Sequence, residues 1–321
     1  MTVTTRFAPS PTGELHVGSA WAALASWLVA RASGGRVIVR MEDLDAPRVV
    51  EGAAERILHD LAWLGLDWDE GPPVGGPNAP YAQSQRTALY EAALDVLRAQ
   101  GVVYPCDCSR TDIQRAASAP HAGEEAVYPG TCQKGDPLRL MKRPAAMRLR
   151  VTDCRVRIED RVCGVLEQDV EKDVGDFVLR RGDGVFAYQL AVVVDDAAMG
   201  VSDVVRGFDL WSSTPRQVHL FERLGLNVPR YWHVPIVLGP DGERLAKRRP
   251  SSRIGELRRA GIAAEEIVGE LAFGLGWLKT PRPCRTSDLI GLNDPTRATF
   301  RREPWLVPSR WARLDSSASE R

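Results

Sequence analysis

The sequence predicts an α/β protein whose parallel sheet is split by an insertion of mixed α+β structure and followed by a short helical region. Three observations lead to this prediction. The chain opens with an extended run that passes through a loop into a periodic helix. A second β-rich run, Val37 to Val39, follows that helix. After a long block of alternating β runs, the apolar stretch Gln189 to Asp196 predicts a strand buried on both faces, and so a return to the sheet.

The first helix is predicted by apolar residues that recur on one face. These residues are Val17, Ala20, Trp21, Leu24 and Leu28. A strand, a loop and a helix in this order present backbone N–H groups and the positive end of the helix dipole to an anion. Gly13 and Gly18 let a ligand approach the backbone closely, and His16 stands where it can donate to a phosphate. An ordinary βα connection with a capping histidine would have the same pattern.

The remaining elements follow from periodicity and turn residues. Helices are predicted over Val50 to Leu64, Ser84 to Gln100, Ser213 to Leu224 and Ile262 to Leu278. Alternating β runs fill residues 147–188, and a short strand is predicted over His233 to Leu238.

The predicted organisation has four parts. Residues 1–80 and 187–240 form the sheet domain, and residues 81–186 form the insertion. Residues 241–280 form a loop and a helical region. Residues 281–321 carry Pro, Arg and Ser without a period, which predicts an irregular or disordered tail.

Composition restricts the class of protein. The 321 residues include 42 basic and 42 acidic side chains, so a nucleic-acid surface would have to be a local patch. The N-terminus has no apolar signal-peptide region, and no apolar run reaches membrane-spanning length. We therefore expect a cytoplasmic monomer that does not contact a membrane.

Three of the six cysteines are spaced as metal ligands rather than as a disulfide framework. Cys106 and Cys108 can supply two thiolates to a tetrahedral zinc ion, and Cys132 can supply a third. His121, Tyr128 or a water could be the fourth ligand. Free thiols are the alternative that the spacing leaves open.

Two charged residues are candidates for substrate contacts. Glu42 follows the β run that ends at Met41, where α/β sheets bind ligands, and it could hold an ammonium group. Arg206 is a candidate for a bidentate bond to a carboxylate. A solvated loop acid and a surface arginine are the alternatives.

A basic loop follows the turn at residues 239–242. The run Arg244-Leu245-Ala246-Lys247-Arg248 suits a mobile clamp on a triphosphate, and the alternative is a solvated loop. Farther along, the run from Arg248 to Arg259 contains five arginines and suits contact with an RNA backbone.

Two of these runs resemble the signatures of class I aminoacyl-tRNA synthetases. Residues Arg6 to Ser19 resemble the "HIGH" signature in its glutamyl/glutaminyl form. Residues Arg244 to Arg248 resemble "KMSKS", with Ala246 in place of the usual serine. The pattern Cys-x-Cys followed by Tyr-x-x-x-Cys resembles the zinc site of the glutamyl-queuosine tRNA(Asp) synthetases, although the spacer between Cys108 and Tyr128 is longer.

This resemblance implies a fold and a set of site residues. The fold is a class I synthetase Rossmann-like parallel sheet split by a zinc-containing α+β insertion. The implied L-glutamate contacts are Arg6, Phe7, Ala8, Pro9, Ser10, Glu42, Tyr188 and Arg206. The implied ATP contacts are Gly13, His16, Gly18 and Lys247, with His16 and Lys247 catalytic. The implied structural Zn²⁺ ligands are Cys106, Cys108, Tyr128 and Cys132. Val192 stands where some relatives carry a pocket asparagine.

The resemblance also implies an activity. Glutamate would be activated with ATP and Mg²⁺, then transferred to queuosine in the anticodon stem-loop of tRNA(Asp). The residues after Leu278 are too few and too irregular to predict an anticodon-binding domain. Two alternatives remain: a truncated glutamyl-tRNA synthetase that charges tRNA(Glu), and a non-catalytic paralogue that binds RNA or glutamate.

Overall fold

The computed structural model describes most of the chain. The described residues are 2–109, 111–113, 127–134, 140–245, 252–292 and 300–311. Their helices are α1 (Val17–Arg31), α2 (Ala53–Trp63), α3 (Thr87–Ala99), α4 (Val170–Asp173), α5 (Tyr188–Ala198), α6 (Thr214–Arg223), α7 (Ile254–Arg259) and α8 (Ala264–Gly274). Their strands are β1 (Thr4–Phe7), β2 (Arg36–Val39), β3 (Val103–Cys106), β4 (Ala146–Leu149), β5 (Arg155–Asp160), β6 (Gly164–Asp169), β7 (Phe177–Arg180), β8 (Asp203–Gly207), β9 (Arg230–Val234), β10 (Val237–Leu238) and β11 (Trp305–Leu306).

Two parallel strand pairs form the centre of the fold. β1 pairs with β2, and β8 pairs with β9. A hydrogen bond of 2.9 Å from Ser202 N to Thr4 O joins β1 to the start of β8. Side chains alternate between the two faces. Val37 and Val39 pack with α1 in one core, whereas Ile38 packs with α3, α5 and α6 in the other.

The predicted strand from Gln189 to Asp196 is wrong, because these residues lie in α5. The helix is buried on nearly all sides, and Leu190 to Asp196 are all buried. A helix that is apolar all round produces the same short apolar run as a strand buried on both faces. The run of three valines, Val192 to Val194, favoured the strand, and tertiary packing overrides that preference.

The described residues of the insertion form two antiparallel sheets. β3, β4 and β7 form one sheet, and β5 and β6 form a regular hairpin. The hairpin docks on the parallel sheet, since Arg161 N donates to Tyr231 O at 2.9 Å. A part of the insertion therefore reaches the central strands directly.

The described part of the predicted tail is irregular in secondary structure but well packed. β11 pairs in parallel with β10, and Trp305 stacks on Trp21 at 5.1 Å between ring centroids. Phe300 and Trp311 are buried in the same core. A few aromatic residues carry this packing, and they are too far apart in the sequence to make a period. Among the described residues, no helix combines the length and apolar character that crossing a membrane requires.

Candidate active site

Three buried arginines lie on the face of the parallel sheet that α5 covers. Arg6 is in β1, Arg40 directly follows β2, and Arg206 is in β8. Their exposed fractions are 4%, 0% and 4%. Buried guanidinium groups need charged or polar partners, and these come from α5 and from neighbouring elements.

Asp196 in α5 pairs with two of these arginines. Its carboxylate lies 3.1 Å from Arg6 Nε and 2.8 Å from a terminal nitrogen of Arg40. Burial by itself raises the pKa of Asp196, but the charges of Arg6 and Arg40 outweigh it and hold that pKa below its ordinary value. Asp196 is therefore a fixed anion that ties α5 to β1 and β2.

Arg40 also contacts two other carboxylates. It lies 3.2 Å from Glu42 Oε1 and 3.6 Å from Asp195 Oδ2. Asp195 in turn accepts from Arg86 Nε at 2.6 Å and from the Tyr90 hydroxyl at 2.8 Å. Burial raises the pKa of Glu42 in spite of the opposing charge of Arg40. Arg40 is thus the hub of a buried network that reaches α3.

The backbone of the first signature run lies beside this network. Arg40 N donates to Phe7 O at 3.0 Å, and Glu42 N donates to Pro9 O at 2.9 Å. The Phe7 side chain packs in the core on the α1 side, so only its backbone lies along this edge. Ser10 at the end of the run is exposed and Ala8 is half-buried.

Arg206 has a separate set of partners. Its terminal nitrogens donate to Gln217 Oε1 and Thr214 Oγ1, each at 2.7 Å, and its Nε donates to His233 Nε2 at 3.0 Å. The guanidinium also lies 5.2 Å from the centre of the Tyr231 ring. Helix α6 and strand β9 together fix this arginine.

Tyr188 is the first residue of α5 and is half-buried. Burial raises the pKa of its hydroxyl, and the charged groups that act on it include Arg206, Glu42 and Arg6. The fold therefore collects four of the residues predicted to bind the substrate. Tyr231 belongs to the same set of neighbours, and its buried hydroxyl has no hydrogen-bond partner within the described chain.

The predicted phosphate loop has the expected local structure. His16 is the N-cap of α1, and its Nδ1 accepts from Gly18 N at 3.1 Å. A Cβ at position 18 would lie 3.4 Å from that nitrogen, which is an ordinary van der Waals contact, so the histidine cap does not itself require glycine there. Gly13 lies in the preceding loop, with open space around it.

The chain after the second signature returns to the first. Ile254 N donates to Leu15 O at 2.9 Å, and Arg253 forms an antiparallel bridge with His16. Glu14 reinforces this contact, because its carboxylate lies 2.9 Å from Arg259. Lys247 lies outside the described residues.

The predicted RNA-contacting arginines have acidic partners. Arg258 lies 3.0 Å from Asp60, and Arg259 lies 2.9 Å from Glu256 as well as from Glu14. Arg253 lies 3.7 Å from Glu14. These cations hold α7 against α2 and the first loop. Arg248 and Arg249 lie outside the described residues.

The three spaced cysteines come together. The Sγ atoms of Cys106, Cys108 and Cys132 all lie within 4.8 Å of one another. The Tyr128 hydroxyl lies 3.4 Å from the first sulfur and 3.8 Å from the second. His121 lies outside the described residues.

Sequence reasoning missed the ion pairs between Arg40 and the two aspartates of α5. Arg40 lies in the same run as Glu42 but has no role in the sequence-based prediction. Asp195 and Asp196 are predicted to lie on a strand. The signal was the pair of acids at the end of an apolar run, since buried aspartates need buried cations as partners.

Residues 2–284 match the family described as tRNA synthetases class I (E and Q), catalytic domain. A relative from Nitratidesulfovibrio vulgaris, named glutamyl-Q tRNA(Asp) synthetase, is 50% identical over 310 residues, which are 95% of each chain. A relative of the same name from Geobacter sulfurreducens is 53% identical over 273 residues, 83% of this chain and 84% of that one. The chain belongs to the glutamyl-Q tRNA(Asp) synthetase family.

A solved glutamate tRNA ligase has the same fold as this member of the glutamyl-Q tRNA(Asp) synthetase family. The glutamate tRNA ligase of Elizabethkingia meningosepticum, solved in complex with its amino acid, superposes with a TM-score of 0.84 at 25% identity. The match covers 99% of this chain and 70% of that ligase. The class I synthetase fold predicted from the sequence is confirmed.

Proposed function

We propose that this chain is a ligase that activates L-glutamate with ATP and transfers it to queuosine in the anticodon stem-loop of tRNA(Asp), as a monomer. The observation that carries this proposal is the family membership, with 50% identity over 95% of both chains. The buried arginine cluster beside a helix-capping loop supports it, because the reaction joins two anionic substrates.

The first step is adenylation. A carboxylate oxygen of glutamate attacks the α-phosphorus of ATP, and pyrophosphate leaves. Negative charge grows on the phosphate oxygens in the transition state, so donors placed there lower the barrier. In the second step the acyl group passes to queuosine and AMP is released.

We assign the amino acid to the pocket around α5. Arg206 would bind the carboxylate that does not react, because the hydrogen-bond partners of its guanidinium among the described residues are four neutral groups and no acid: His233, Gln217, Thr214 and the Leu210 carbonyl. Glu42, at the edge of the cluster, would accept from the substrate ammonium. Arg6, Ser10 and Tyr188 would complete the pocket, and Phe7, Ala8 and Pro9 would line it with backbone.

We assign ATP to the loops beside α1. The N–H groups at the start of α1 and the side chain of His16 would face phosphate oxygens, and Gly13 and Gly18 would permit close approach. Lys247 would approach from the second loop, whose continuation at Ile254 is bonded to Leu15. Magnesium would enter with the triphosphate.

The cysteine cluster fits a structural zinc ion. Thiolates at tetrahedral corners about 2.3 Å from zinc lie about 3.8 Å apart, and Cys108 Sγ lies 3.4 Å from Cys132 Sγ. Cys132 N donates to the Tyr128 oxygen at 2.7 Å, and Arg148 stacks on the tyrosine ring at 4.0 Å. Both contacts hold the tyrosine beside the three sulfurs, which supports Tyr128 as the fourth ligand.

Metal analysis tests the zinc assignment. Protein purified without chelators is expected to contain one zinc ion, and Cys108→Ser is expected to lose most of it because serine oxygen is a poor zinc ligand. Cys284→Ser is the control, since Cys284 is a buried thiol outside the cluster. Stoichiometric zinc in Cys108→Ser would count against the site.

Two assays test the activity. Glutamate-dependent exchange of pyrophosphate into ATP is expected from the purified protein. Its absence would support a non-catalytic paralogue. Labelled glutamate is then expected on tRNA(Asp) that carries queuosine, and not on unmodified tRNA(Asp).

Charging of tRNA(Glu) is the competing outcome. A relative named glutamate–tRNA ligase 1, from Halorhodospira halophila, is 45% identical over 280 residues, 85% of this chain. This chain covers 58% of that ligase, compared with 95% of the glutamyl-Q relative. Label on tRNA(Glu) in place of tRNA(Asp) would refute the proposed acceptor.

A further inference from the structure

A buried histidine connects Arg206 to the insertion. His233 Nε2 lies 3.0 Å from Arg206 Nε, and His233 Nδ1 lies 2.6 Å from Asp160 Oδ2. All three side chains are buried. Asp160 is the last residue of β5 and therefore belongs to the hairpin that docks on β9.

The chemistry of the partners fixes the position of the histidine proton. Arginine Nε can only donate, so His233 Nε2 must be an unprotonated acceptor. An ionised carboxylate can only accept, so Nδ1 must carry the proton. The Thr214 hydroxyl, which accepts from Arg206, lies 3.0 Å from the same Nε2 and can donate to it.

Asp160 is itself held firmly as an anion. Its Oδ1 accepts from Val162 N at 2.9 Å and from Cys163 N at 2.8 Å, and His233 N also lies within hydrogen-bond distance. Burial raises the pKa of this carboxyl, but the bond to His233 and these backbone N–H groups outweigh it and lower the pKa. Asp160 therefore remains a proton acceptor for Nδ1 at neutral pH.

We infer that Asp160 and His233 are positioning residues for the substrate-binding arginine. Asp160 selects the Nδ1–H tautomer of His233, and the free Nε2 then orients the Arg206 guanidinium toward the amino acid. This inference rests on the proposed function, in which Arg206 binds glutamate. It also means that the insertion supplies a residue that shapes the amino-acid pocket.

Two amide substitutions of different length test the two hydrogen bonds of the His233 ring one at a time. In His233→Gln the amide oxygen can reach the place of Nε2 and accept from Arg206, but the donor to Asp160 is lost. In His233→Asn the amide nitrogen can take the place of Nδ1 and donate to Asp160, but Arg206 loses its acceptor. The substitutions are chemically alike, so each is the control for the other.

In the exchange assay, we expect the two substitutions to differ in the KM for glutamate but not in the KM for ATP. His233→Asn should raise the KM for glutamate by about ten- to a hundred-fold, because a charged hydrogen bond is lost and the guanidinium is misplaced. His233→Gln should stay within about three-fold of wild type, since the acceptor for Arg206 remains. The KM for ATP should change little in both. An equal or reversed order for glutamate, or a parallel rise in both KM values, would overturn the inference.

The proton position can be measured without substrate. A ¹⁵N spectrum of histidine-labelled protein should show one ring protonated at Nδ1 and not at Nε2, and its absence from the His233→Gln spectrum assigns it. Asp160→Asn should shift that ring toward the Nε2–H form, because an amide can donate to Nδ1. A wild-type proton on Nε2 would refute the inference. Absent exchange with glutamate alongside the expected spectrum would instead refute the proposed function.

Discussion

The two halves of the candidate site are built in different ways. In the amino-acid half, Arg6, Arg40 and Arg206 come from strands or strand ends and are buried against α5 and α6. In the ATP half, the loop before α1 meets the chain that leads into α7. A backbone hydrogen bond between Ile254 and Leu15 joins them, together with the partly exposed ion pairs of Glu14.

This difference matches the roles that we propose for the two halves. A small, charged amino acid is discriminated best by donors that are already in place, because no reorganisation is needed on binding. A triphosphate is larger and must be enclosed for reaction and released afterwards, which favours loops. We therefore expect substitutions in the first half to affect stability and glutamate binding, and those in the second half to affect the rate.

The largest expected effect is on folding. Arg40→Met removes the hub of the buried network and leaves Glu42 and Asp195 with one fewer cation, so the free energy of unfolding should fall by about 3–5 kcal/mol. Arg259→Met is the matched control, because the Arg259 side chain is 53% exposed and its ion pairs contribute little. This substitution should lower the free energy of unfolding by less than about 1 kcal/mol. Chemical denaturation measures both. Similar losses of unfolding free energy in the two variants would show that the two halves do not differ in how firmly their charges are held.

Next in size is the effect of Lys247→Ala on the rate. Lys247 is the cation that we propose acts in the transition state, so its loss should lower the rate of ATP–pyrophosphate exchange by about a hundred-fold or more. The KM for glutamate should change little, since the amino-acid half is fixed by other residues. Lys172→Ala is the control, because this lysine lies in α4 of the insertion and its side chain is 72% exposed. A rise in the KM for glutamate without a fall in rate would contradict the expectation that the ATP half affects the rate.

A smaller effect is expected at Tyr231. Its buried hydroxyl has no hydrogen-bond partner among the described residues, so Tyr231→Phe removes an unsatisfied polar group and keeps the ring beside Arg206. The free energy of unfolding should rise by about 1 kcal/mol, seen as a higher Tm. Tyr90→Phe is the matched control: the Tyr90 hydroxyl donates to Asp195 at 2.8 Å, and its loss should lower Tm. A fall in Tm for both would show that the Tyr231 hydroxyl is in fact bonded.

The smallest effect is expected at Glu14. Glu14→Gln weakens the ion pairs of residue 14 with Arg253 and Arg259. These pairs are partly exposed, so the free energy of unfolding should change by less than about 1 kcal/mol. The KM for ATP should rise a few-fold at most, and the change should shrink in high salt because exposed charges are screened. A large effect that persists in high salt would mean that the ATP half is as firmly fixed as the amino-acid half.

Local signals in the sequence predicted the loop-based half well. Prolines and Gly13 ahead of a periodic helix indicated a loop, and the helix begins at Val17 with His16 as its cap. Phosphate binding by this loop stays a prediction, because an ordinary βα connection has the same cap. The close cysteine spacing likewise predicted the cluster around Tyr128. Such features are encoded within a few residues, where turn chemistry and periodicity are informative.

The buried half was harder to predict, since its partners are far apart in the chain. Asp196 pairs with Arg6 across 190 positions, and Asp160 meets His233 across 73. The segment that carries Asp195 and Asp196 was also assigned to the wrong element, because complete burial hides the helical period.

By itself, the sequence determined the α/β class, the loop before α1, the cysteine cluster and the family, because short motifs and periods record local geometry. Only the tertiary structure decided that α5 covers the sheet, that Arg40 is a hub and that the insertion reaches Arg206 through Asp160 and His233. Buried charges must be paired, and which charges pair depends on the strands and helices that the whole fold brings together.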